Sequence, residues 1–223
     1  MGILNLTPDS FWEPSRGNMS ILDSDVDIVD IGAVSTRPGA ADVSEEEEWK
    51  RLRPVLSGLK TTKRISIDTV RSSIVRRAYD LIGPFIVNDI SAGEDDPAML
   101  ETVSSLKLPY IAMHKRGNPR TMDSLCDYPD GIMAELLDYF GSFGRRADEL
   151  GIDDWILDPG LGFAKTEAQC YEILENLEQL KRFGRPILIG ASNKRFTHGD
   201  NLRVEELAIR HGADILRVHQ IEG

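Results

Sequence analysis

The sequence has few cysteines and no long apolar run, and both shortages narrow the class of protein. Its 223 residues include only two cysteines, Cys126 and Cys170. Two cysteines are too few for a disulfide framework, and their spacing matches no metal site. No stretch of about 18 apolar residues predicts a membrane-spanning helix, and the first residues do not resemble a secretory signal. We therefore expect a cytoplasmic protein with no membrane partner.

Positive charge is also scarce. The chain has 26 Lys and Arg residues against 37 Asp and Glu residues, which gives a formal net charge of −11. An acidic surface disfavours nucleic acid and anionic membranes as partners, so any local cluster of basic residues becomes more informative. The acidic run Glu45–Glu48 is interpreted as a solvated helix start, because carboxylates are favourable at the positive end of the helix dipole.

Eight short apolar runs recur along the chain, and each ends in glycine or polar residues. Runs this short and this continuously apolar predict strands that are buried on both faces, as in a parallel sheet. The predicted strands are 2–5, 27–32, 64–68, 85–90, 110–114, 155–160, 187–190 and 215–219.

Between these runs, apolar residues recur with helical spacing. The alternation of strands and helices predicts a (β/α)8 TIM barrel that forms a single domain over residues 1–223. Two connections, at 19–26 and 195–202, are short for a barrel of this kind. We expect from this that the chain lacks some N-terminal, loop and helix residues. The predicted helices are 43–60, 70–82, 97–107, 130–150, 166–183 and 202–212.

Polar side chains follow all eight predicted strands. In a TIM barrel the C-terminal ends of the strands meet on one face, where active sites are built. Singly, some of these residues have structural explanations: Asp68 as a helix N-cap, the pair Asn88-Asp89 in a turn, Asp158 in another turn, and His219 on the surface. Together they predict one site. The set comprises Asn5, Thr36 with Arg37, Asp68, Asn88, His114, Asp158, Ser192 with Lys194, and Arg217 with His219.

The strand-end residues fall into two chemical groups. Asp68, Asn88 and Asp158 supply carboxylates and an amide, which suit a ring edge that donates several hydrogen bonds. The other group supplies hydrogen-bond donors and positive charge from strands one, two and eight, which become neighbours when the barrel closes. Such a group suits phosphate or pyrophosphate. Its members are Asn5, Thr36, Arg37, Arg217 and His219.

Eight segments, spread from the first strand to the last, together resemble the dihydropteroate synthase family. This resemblance implies a TIM-barrel transferase of folate biosynthesis. The family joins 6-hydroxymethyl-7,8-dihydropterin pyrophosphate to 4-aminobenzoate, giving 7,8-dihydropteroate and pyrophosphate with the help of Mg²⁺. The segments are MGILNLTPDSF (1–11), DIGAVSTRPGA (30–40), SIDT (66–69), IVNDISAG (86–93), MHKRGNPRTM (113–122), DPGLGFAK (158–165), GASNK (190–194) and RVH (217–219).

The resemblance also implies a role for each site residue. The pterin would be held by Asp68, Asn88, Asp158, Lys194 and Arg217, which are also the implied catalytic residues, with Ile90 and Met113 as further pterin contacts. The pyrophosphate would be bound by Asn5, Thr36, Arg37, Arg217 and His219, with Asn5 also contacting Mg²⁺. The aminobenzoate, which sulfonamides imitate, would be bordered by Thr36, Pro38, Phe163, Ser192 and Lys194. A homodimer is implied as well.

The chemistry of these groups agrees with an SN1-like path. A departing pyrophosphate needs electrostatic stabilisation, and a dihydropterin can delocalise the positive charge left behind. Because an aromatic amine is already a nucleophile, no strong general base is required. We therefore assign Asp158 to pterin recognition and cation stabilisation.

The sequence departs from the family pattern at three places. Leu161 and Ala164 stand where Phe and Gly are frequent, which is a mild change in packing. Asn193 stands where an arginine is usual, and the neighbouring Arg195 is expected to point away from the site. Lys115 and Arg116 add charge near the expected pterin mouth, either as solvated variation or to steer anions. Two other functions remain as alternatives: a pterin-binding methyltransferase that uses methyltetrahydrofolate, and a non-catalytic pterin-binding paralogue.

Overall fold

The computed structural model of the protein describes residues 1–6, 20–34, 43–118, 121–192 and 194–219. All eight predicted strands are present within one or two residues of their expected ends, apart from the last, which ends three residues earlier than predicted. Their bounds are β1 Gly2–Asn5, β2 Ile28–Gly32, β3 Arg64–Asp68, β4 Ile86–Asp89, β5 Tyr110–Met113, β6 Trp155–Asp158, β7 Leu188–Ile189 and β8 Ile215–Leu216.

The eight strands close into a parallel barrel. Strands β1 to β6 pair in sequence order, and β7 pairs with β8. Two parallel bridges join these sheets. At one seam the Leu157 amide donates to the Pro186 carbonyl over 3.0 Å, and at the other the Ile3 amide donates to the Val218 carbonyl over 2.9 Å. The predicted (β/α)8 barrel is confirmed.

Helices follow most of the strands and form the outer layer. In the part of the chain that the structure describes, no helix is long and apolar enough to cross a membrane. The α-helices are α1 Glu45–Gly58, α2 Ser72–Ile82, α3 Met99–Leu106, α4 Ile132–Leu150, α5 Glu167–Glu175 and α6 Asn201–Arg210. The 3₁₀ turns are Ser20–Leu22, Met122–Ser124, Leu177–Phe183 and Arg195–Thr197.

One predicted helix is divided in two. The sequence predicts a single helix over 166–183, but α5 ends at Glu175 and a 3₁₀ turn follows from Leu177. At the break, the Asn176 side-chain amide donates to the Glu172 carbonyl over 2.8 Å. Asparagine side chains compete with the backbone for hydrogen bonds in this way, which favours helix ends.

The acidic run at the start of α1 is only partly solvated, so the prediction is wrong for Glu48. This residue is 1% exposed. It lies on the same helix face as the buried Leu52 and Leu56, four and eight residues further on, and that face packs inward. Its carboxylate accepts a hydrogen bond from the Thr69 hydroxyl over 2.6 Å and pairs with Arg71.

The strands bury two separate apolar layers. Side chains that point outward pack under the helices. Side chains that point inward form a second cluster inside the barrel, and its buried members are Ile28, Ile86, Ile111, Ile156 and Leu188. Because side chains alternate along a strand, the residue two positions after each of these also points inward. On β2, β4 and β6 that residue is Asp30, Asn88 and Asp158, so the interior changes from apolar to polar towards the C-terminal ends.

The barrel needs glycine at position 160, after β6. Gly160 has φ +67°, and a Cβ there would collide with the carbonyl oxygen of His114. Gly151 also has φ +67° but has no atom within 4 Å of a would-be Cβ. Alanine substitutions at Gly160 and Gly151 can therefore distinguish the effect of the left-handed backbone from the effect of the collision.

We predict that Gly160→Ala destabilises the protein more than Gly151→Ala. The left-handed backbone costs about 1–2 kcal/mol at both sites, whereas the collision adds about 1–3 kcal/mol at Gly160 alone. Urea unfolding of both variants checks this through the shift in midpoint. Equal shifts would contradict the close approach to His114.

Candidate active site

Four strand ends lie side by side at one level of the barrel. Asn5 on β1 pairs with Gly32 on β2, Gly32 pairs with Asp68 on β3, and Asp68 pairs with Asn88 on β4. A Cβ on Gly32 would lie only 3.3 Å from the Asp68 Cβ. The glycine therefore leaves room for Asp68 between two neighbouring strands.

Arg217, which follows β8, binds two carboxylates inside the barrel mouth. Its Nη2 lies 2.8 Å from Asp68 Oδ2, and its Nε donates to Asp30 Oδ2 over 2.7 Å. Asn88 Nδ2 donates to the same Asp30 oxygen over 3.1 Å. Thus one buried carboxylate orients two of the predicted site residues, Arg217 and Asn88.

Asp30 is a site residue that the sequence analysis missed. It is 0% exposed, and its Oδ1 is a buried atom with no hydrogen-bond partner among the described residues. The signal was present as an acidic residue within the apolar run of β2, because a buried carboxylate requires a cationic or hydrogen-bonding partner. The sequence did not reveal that the partner lies 187 positions away.

Asp68 belongs to the site and does not cap α2, so the N-cap alternative is wrong. The first amide of that helix, Ser72, donates to Asp96 Oδ2 over 2.7 Å. Burial raises the pKa of Asp68 to about 7, although the Arg217 guanidinium opposes this shift; the nearby Asp30 carboxylate adds to it.

Asn88 and Asp89 are neighbours in the sequence but have different structural roles. Asn88 faces the mouth, whereas Asp89 builds the turn after β4, where it accepts hydrogen bonds from the Ser91 and Gly93 amides over 2.7 and 2.9 Å. The Tyr110 hydroxyl donates to Asp89 over 2.6 Å. The turn explanation is therefore right for Asp89 only.

Asp158 takes part in a turn and also lies in the site. Its Oδ1 accepts from the Gly160 amide over 2.8 Å, and its strand partner in β5 is Met113. Burial raises the pKa of Asp158; the Gly160 amide opposes this shift, as do the positive charges of Lys194 and Arg217.

Lys194 lies beside the same turn. Its Nζ is 4.2 Å from the centre of the Phe163 ring, a cation–π contact. A Cβ on Gly162 would lie 3.6 Å from the Lys194 Cδ, so the lysine stem runs against this glycine. Burial lowers the pKa of Lys194 to about 8, and the Asp158 carboxylate opposes that shift.

The remaining predicted residues complete the mouth. His219 donates its backbone amide to Ser192 Oγ over 3.3 Å, which joins the chain after β7 to the chain after β8. Met113 is buried and Ile90 half-buried. Three predicted site residues lie outside the described residues, namely Thr36, Arg37 and Pro38. Asn193 lies outside them as well.

The basic residues near the mouth that the sequence left unexplained are paired with acids. Lys115 binds Asp95 over 2.6 Å, and Arg116 binds Glu135 over 2.7 Å. Arg195 is largely exposed and binds Asp123 over 2.8 Å, so it points away from the site as expected. These partners neutralise the charge of Lys115 and Arg116, which weakens the case for anion steering.

The described residues include no group of three or more His, Cys, Asp or Glu that could hold a metal ion. Mg²⁺ is usually bound through substrate phosphates and water, with one or two protein oxygens. The amide oxygen of Asn5, at the end of β1, is an oxygen ligand of the right kind.

Comparison with known proteins shows the same family throughout the chain. The family model "Pterin binding enzyme" matches residues 1–219. A dihydropteroate synthase of Synechocystis sp. is 40% identical over 247 aligned residues, covering 100% of this chain and 85% of the relative.

Two solved structures are similar in fold over 99% of this chain. The Xanthomonas albilineans dihydropteroate synthase with 4-aminobenzoic acid is 32% identical with a TM-score of 0.88, and 86% of it is covered. The Yersinia pestis dihydropteroate synthase with a sulfonamide drug complex is 33% identical with a TM-score of 0.86, and 88% of it is covered.

We predict that Asp30→Asn destabilises the protein far more than Glu46→Gln does. The Asp30 change weakens a buried pair and leaves the Arg217 charge underpaired, which typically costs about 3–5 kcal/mol. Glu46 pairs with Arg77 at the surface, where solvent screens the charges and loss of an ion pair has little effect on stability. Chemical denaturation of both variants measures the difference. Similar midpoints would show that Asp30 does not hold Arg217.

Proposed function

The chain belongs to the pterin-binding enzyme family, and we infer from this membership how its residues carry out the dihydropteroate synthase reaction of folate biosynthesis. The protein is accordingly a transferase. We propose that it condenses 6-hydroxymethyl-7,8-dihydropterin pyrophosphate with 4-aminobenzoate. One observation carries the assignment of residues: carboxylates, an amide and two cations from six different strand ends converge on one barrel mouth.

The pterin is proposed to bind on the carboxylate side of the mouth. Asp68, Asn88 and Asp158 offer acceptors and an amide to the donor-rich edge of the pterin ring. Arg217 is held against Asp30 and Asp68, so its guanidinium plane is fixed before substrate arrives. A fixed plane lowers the entropy cost of binding.

The pyrophosphate is proposed to lie towards β1 and β8, beside Asn5 and His219, with Thr36 and Arg37 as further ligands. Mg²⁺, held by Asn5, would supply positive charge to the departing pyrophosphate. The protein residues orient the leaving group and add hydrogen bonds to it. As the bond to the pterin breaks, the Asp158 carboxylate stabilises positive charge on the pterin.

The aminobenzoate is proposed to lie between Phe163, Ser192 and Lys194, with Thr36 and Pro38 on the other side. The contact of Lys194 Nζ with the Phe163 ring supports this placement, because it puts a cation next to an apolar wall. Such a corner suits an aromatic carboxylate, and the same corner would accept a sulfonamide. The amine nitrogen attacks the pterin cation that remains after the carbon–oxygen bond to pyrophosphate has broken, and its N–H proton passes to the released pyrophosphate or to water, so no strong base is needed.

We also propose a single barrel domain, a cytoplasmic location and a homodimer. Both cysteines are free thiols in the structure, which agrees with a reducing compartment.

The decisive experiment is to assay product formation from the pterin pyrophosphate and 4-aminobenzoate, with Mg²⁺ and with excess chelator. We expect 7,8-dihydropteroate and pyrophosphate in equal amounts, with loss of activity in chelator. Lys194→Ala should lower turnover of the folded protein by about 10²-fold or more, since it removes a cation next to both substrates. Pterin binding without product would favour the non-catalytic alternative.

We predict a bell-shaped pH dependence of kcat/KM for the pterin pyrophosphate. Activity should rise as Asp68 ionises near pH 7, because the pterin requires an acceptor, and should fall as Lys194 loses its proton near pH 8. Lys194→Arg keeps the positive charge and should move the alkaline limb upward. An unchanged alkaline limb in this variant would exclude Lys194 as its source.

A further inference from the structure

A buried lysine next to the mouth has no role in the proposed reaction. Lys165 ends the DPGLGFAK segment and is 7% exposed. Its Nζ donates to the Phe163 carbonyl over 2.9 Å and lies 2.8 Å from His114 Nδ1 and 3.4 Å from the His114 carbonyl. Three acceptors match the three N–H donors of an ammonium group. No carboxylate oxygen is among them.

His114 is held in one orientation by its own contacts. Its Nε2 lies 3.3 Å from Glu135 Oε1, and its ring packs edge-on against Tyr139 at 4.8 Å between centroids. Burial lowers the pKa of His114 to about 2, and the charges of Lys165 and Arg116 add to the shift. The neutral ring therefore donates from Nε2 to Glu135 and accepts at Nδ1 from Lys165.

The backbone that Lys165 fastens is strained and forms one wall of the site. Between Asp158 and Lys165, both Gly160 and Gly162 have positive φ, and Ala164 has φ +51°. A non-glycine residue in that region is strained and persists only when its surroundings fix it. The Tyr128 hydroxyl binds the Ala164 carbonyl over 2.8 Å, and Lys165 binds the Phe163 carbonyl.

Phe163 connects this backbone to the chemistry. Its ring lies 4.2 Å from Lys194 Nζ, at the corner proposed for the aminobenzoate. A shift of the Phe163 carbonyl would therefore move the ring and the cation that rests on it. A misplacement of about 1 Å can lower a rate about 10²-fold.

Several ionisable groups surround Lys165. Burial lowers its pKa to about 7; the Asp158 carboxylate opposes this shift and the Lys194 ammonium adds to it. Cys170 and Cys126 also lie near, and burial raises the pKa of both thiols, so they are uncharged at neutral pH. Lys165 therefore changes from the ammonium to the neutral amine near neutral pH, and loss of that proton removes one of three N–H donors.

We propose that Lys165, with His114 as its acceptor, is a positioning residue that holds Phe163 and thereby Lys194 in place for the aminobenzoate. It touches neither substrate and acts through Phe163. This inference rests on the proposed function, in particular on the placement of the aminobenzoate.

The first test compares Lys165→Met with Lys50→Met, a control at an exposed lysine. KM for 4-aminobenzoate should rise about tenfold to a hundredfold in Lys165→Met, whereas KM for the pterin pyrophosphate should rise less, because the other proposed pterin ligands stay in place. The control should match the wild type. In the wild type KM for 4-aminobenzoate should increase between pH 6 and pH 7.5, before Lys194 loses its proton near pH 8, and this part of the pH slope should be lost in Lys165→Met.

A merely structural role would reduce the yield of folded enzyme and kcat without raising one KM selectively or flattening its pH slope. An active wild type together with a folded Lys165→Met variant that keeps the wild-type KM and slope would overturn the proposal. An inactive wild type would instead overturn the proposed function.

A second pair of variants decides the matter if Lys165→Met does not fold. His114→Gln keeps an acceptor for Lys165, whereas His114→Leu removes it at similar size. We expect KM for 4-aminobenzoate to stay within threefold of the wild type in the first and to rise about tenfold in the second. Equal values in the two folded variants would contradict the proposal.

Discussion

The active-site end of the barrel depends on the ion pair that Arg217 forms with Asp30 and Asp68. The arginine follows the last strand, and its partners lie on the second and third strands, 187 and 149 positions away along the chain. Backbone hydrogen bonds join this end of the chain to β1, and the Arg217 side chain extends the connection across the mouth to β2 and β3. Asn88 binds the same Asp30 oxygen. Removing Asp30 would therefore disturb three of the four strand ends that carry the proposed pterin ligands Asp68, Asn88, Asp158 and Arg217.

Buried charged groups are unfavourable unless each is paired. In this barrel Asp30, Asp68, Asp158 and Arg217 all lie together at one end. Below the polar layer, an apolar cluster that includes Ile28, Ile86 and Ile156 fills the interior. Two residues further along the same strands come Asp30, Asn88 and Asp158. Because the strand period is two, each strand supports its polar residue on an apolar one. The apolar layer excludes water from beneath the site, which strengthens the ion pairs above it.

The sequence predicts the strands and helices well because each of them is determined by a pattern within a short segment of the chain. Strand 64–68 is predicted and observed with the same bounds, and the helix predicted over 130–150 is observed as Ile132–Leu150. Contacts between distant segments were not predictable. Periodicity shows that Glu48 lies four residues before Leu52 but not that α1 turns this face towards Thr69. Likewise, no pattern within DPGLGFAK reveals that Lys165 contacts His114, because the residues that flank each of them in the sequence do not indicate such a contact.

The charges in the mouth explain how one site can favour bond breaking. Asp30, Asp68 and Asp158 contribute three formal negative charges, and Arg217, Lys194 and Lys165 contribute three positive ones when fully ionised. The mouth is thus close to neutral despite the acidic chain. A neutral but strongly polar site has little net attraction for the intact pyrophosphate ester. In the proposed arrangement its carboxylates would, however, stabilise the positive charge that develops on the pterin as the bond breaks. The additional positive charge that pyrophosphate requires must come from outside these six residues, and Mg²⁺ at Asn5 together with Arg37 would provide it.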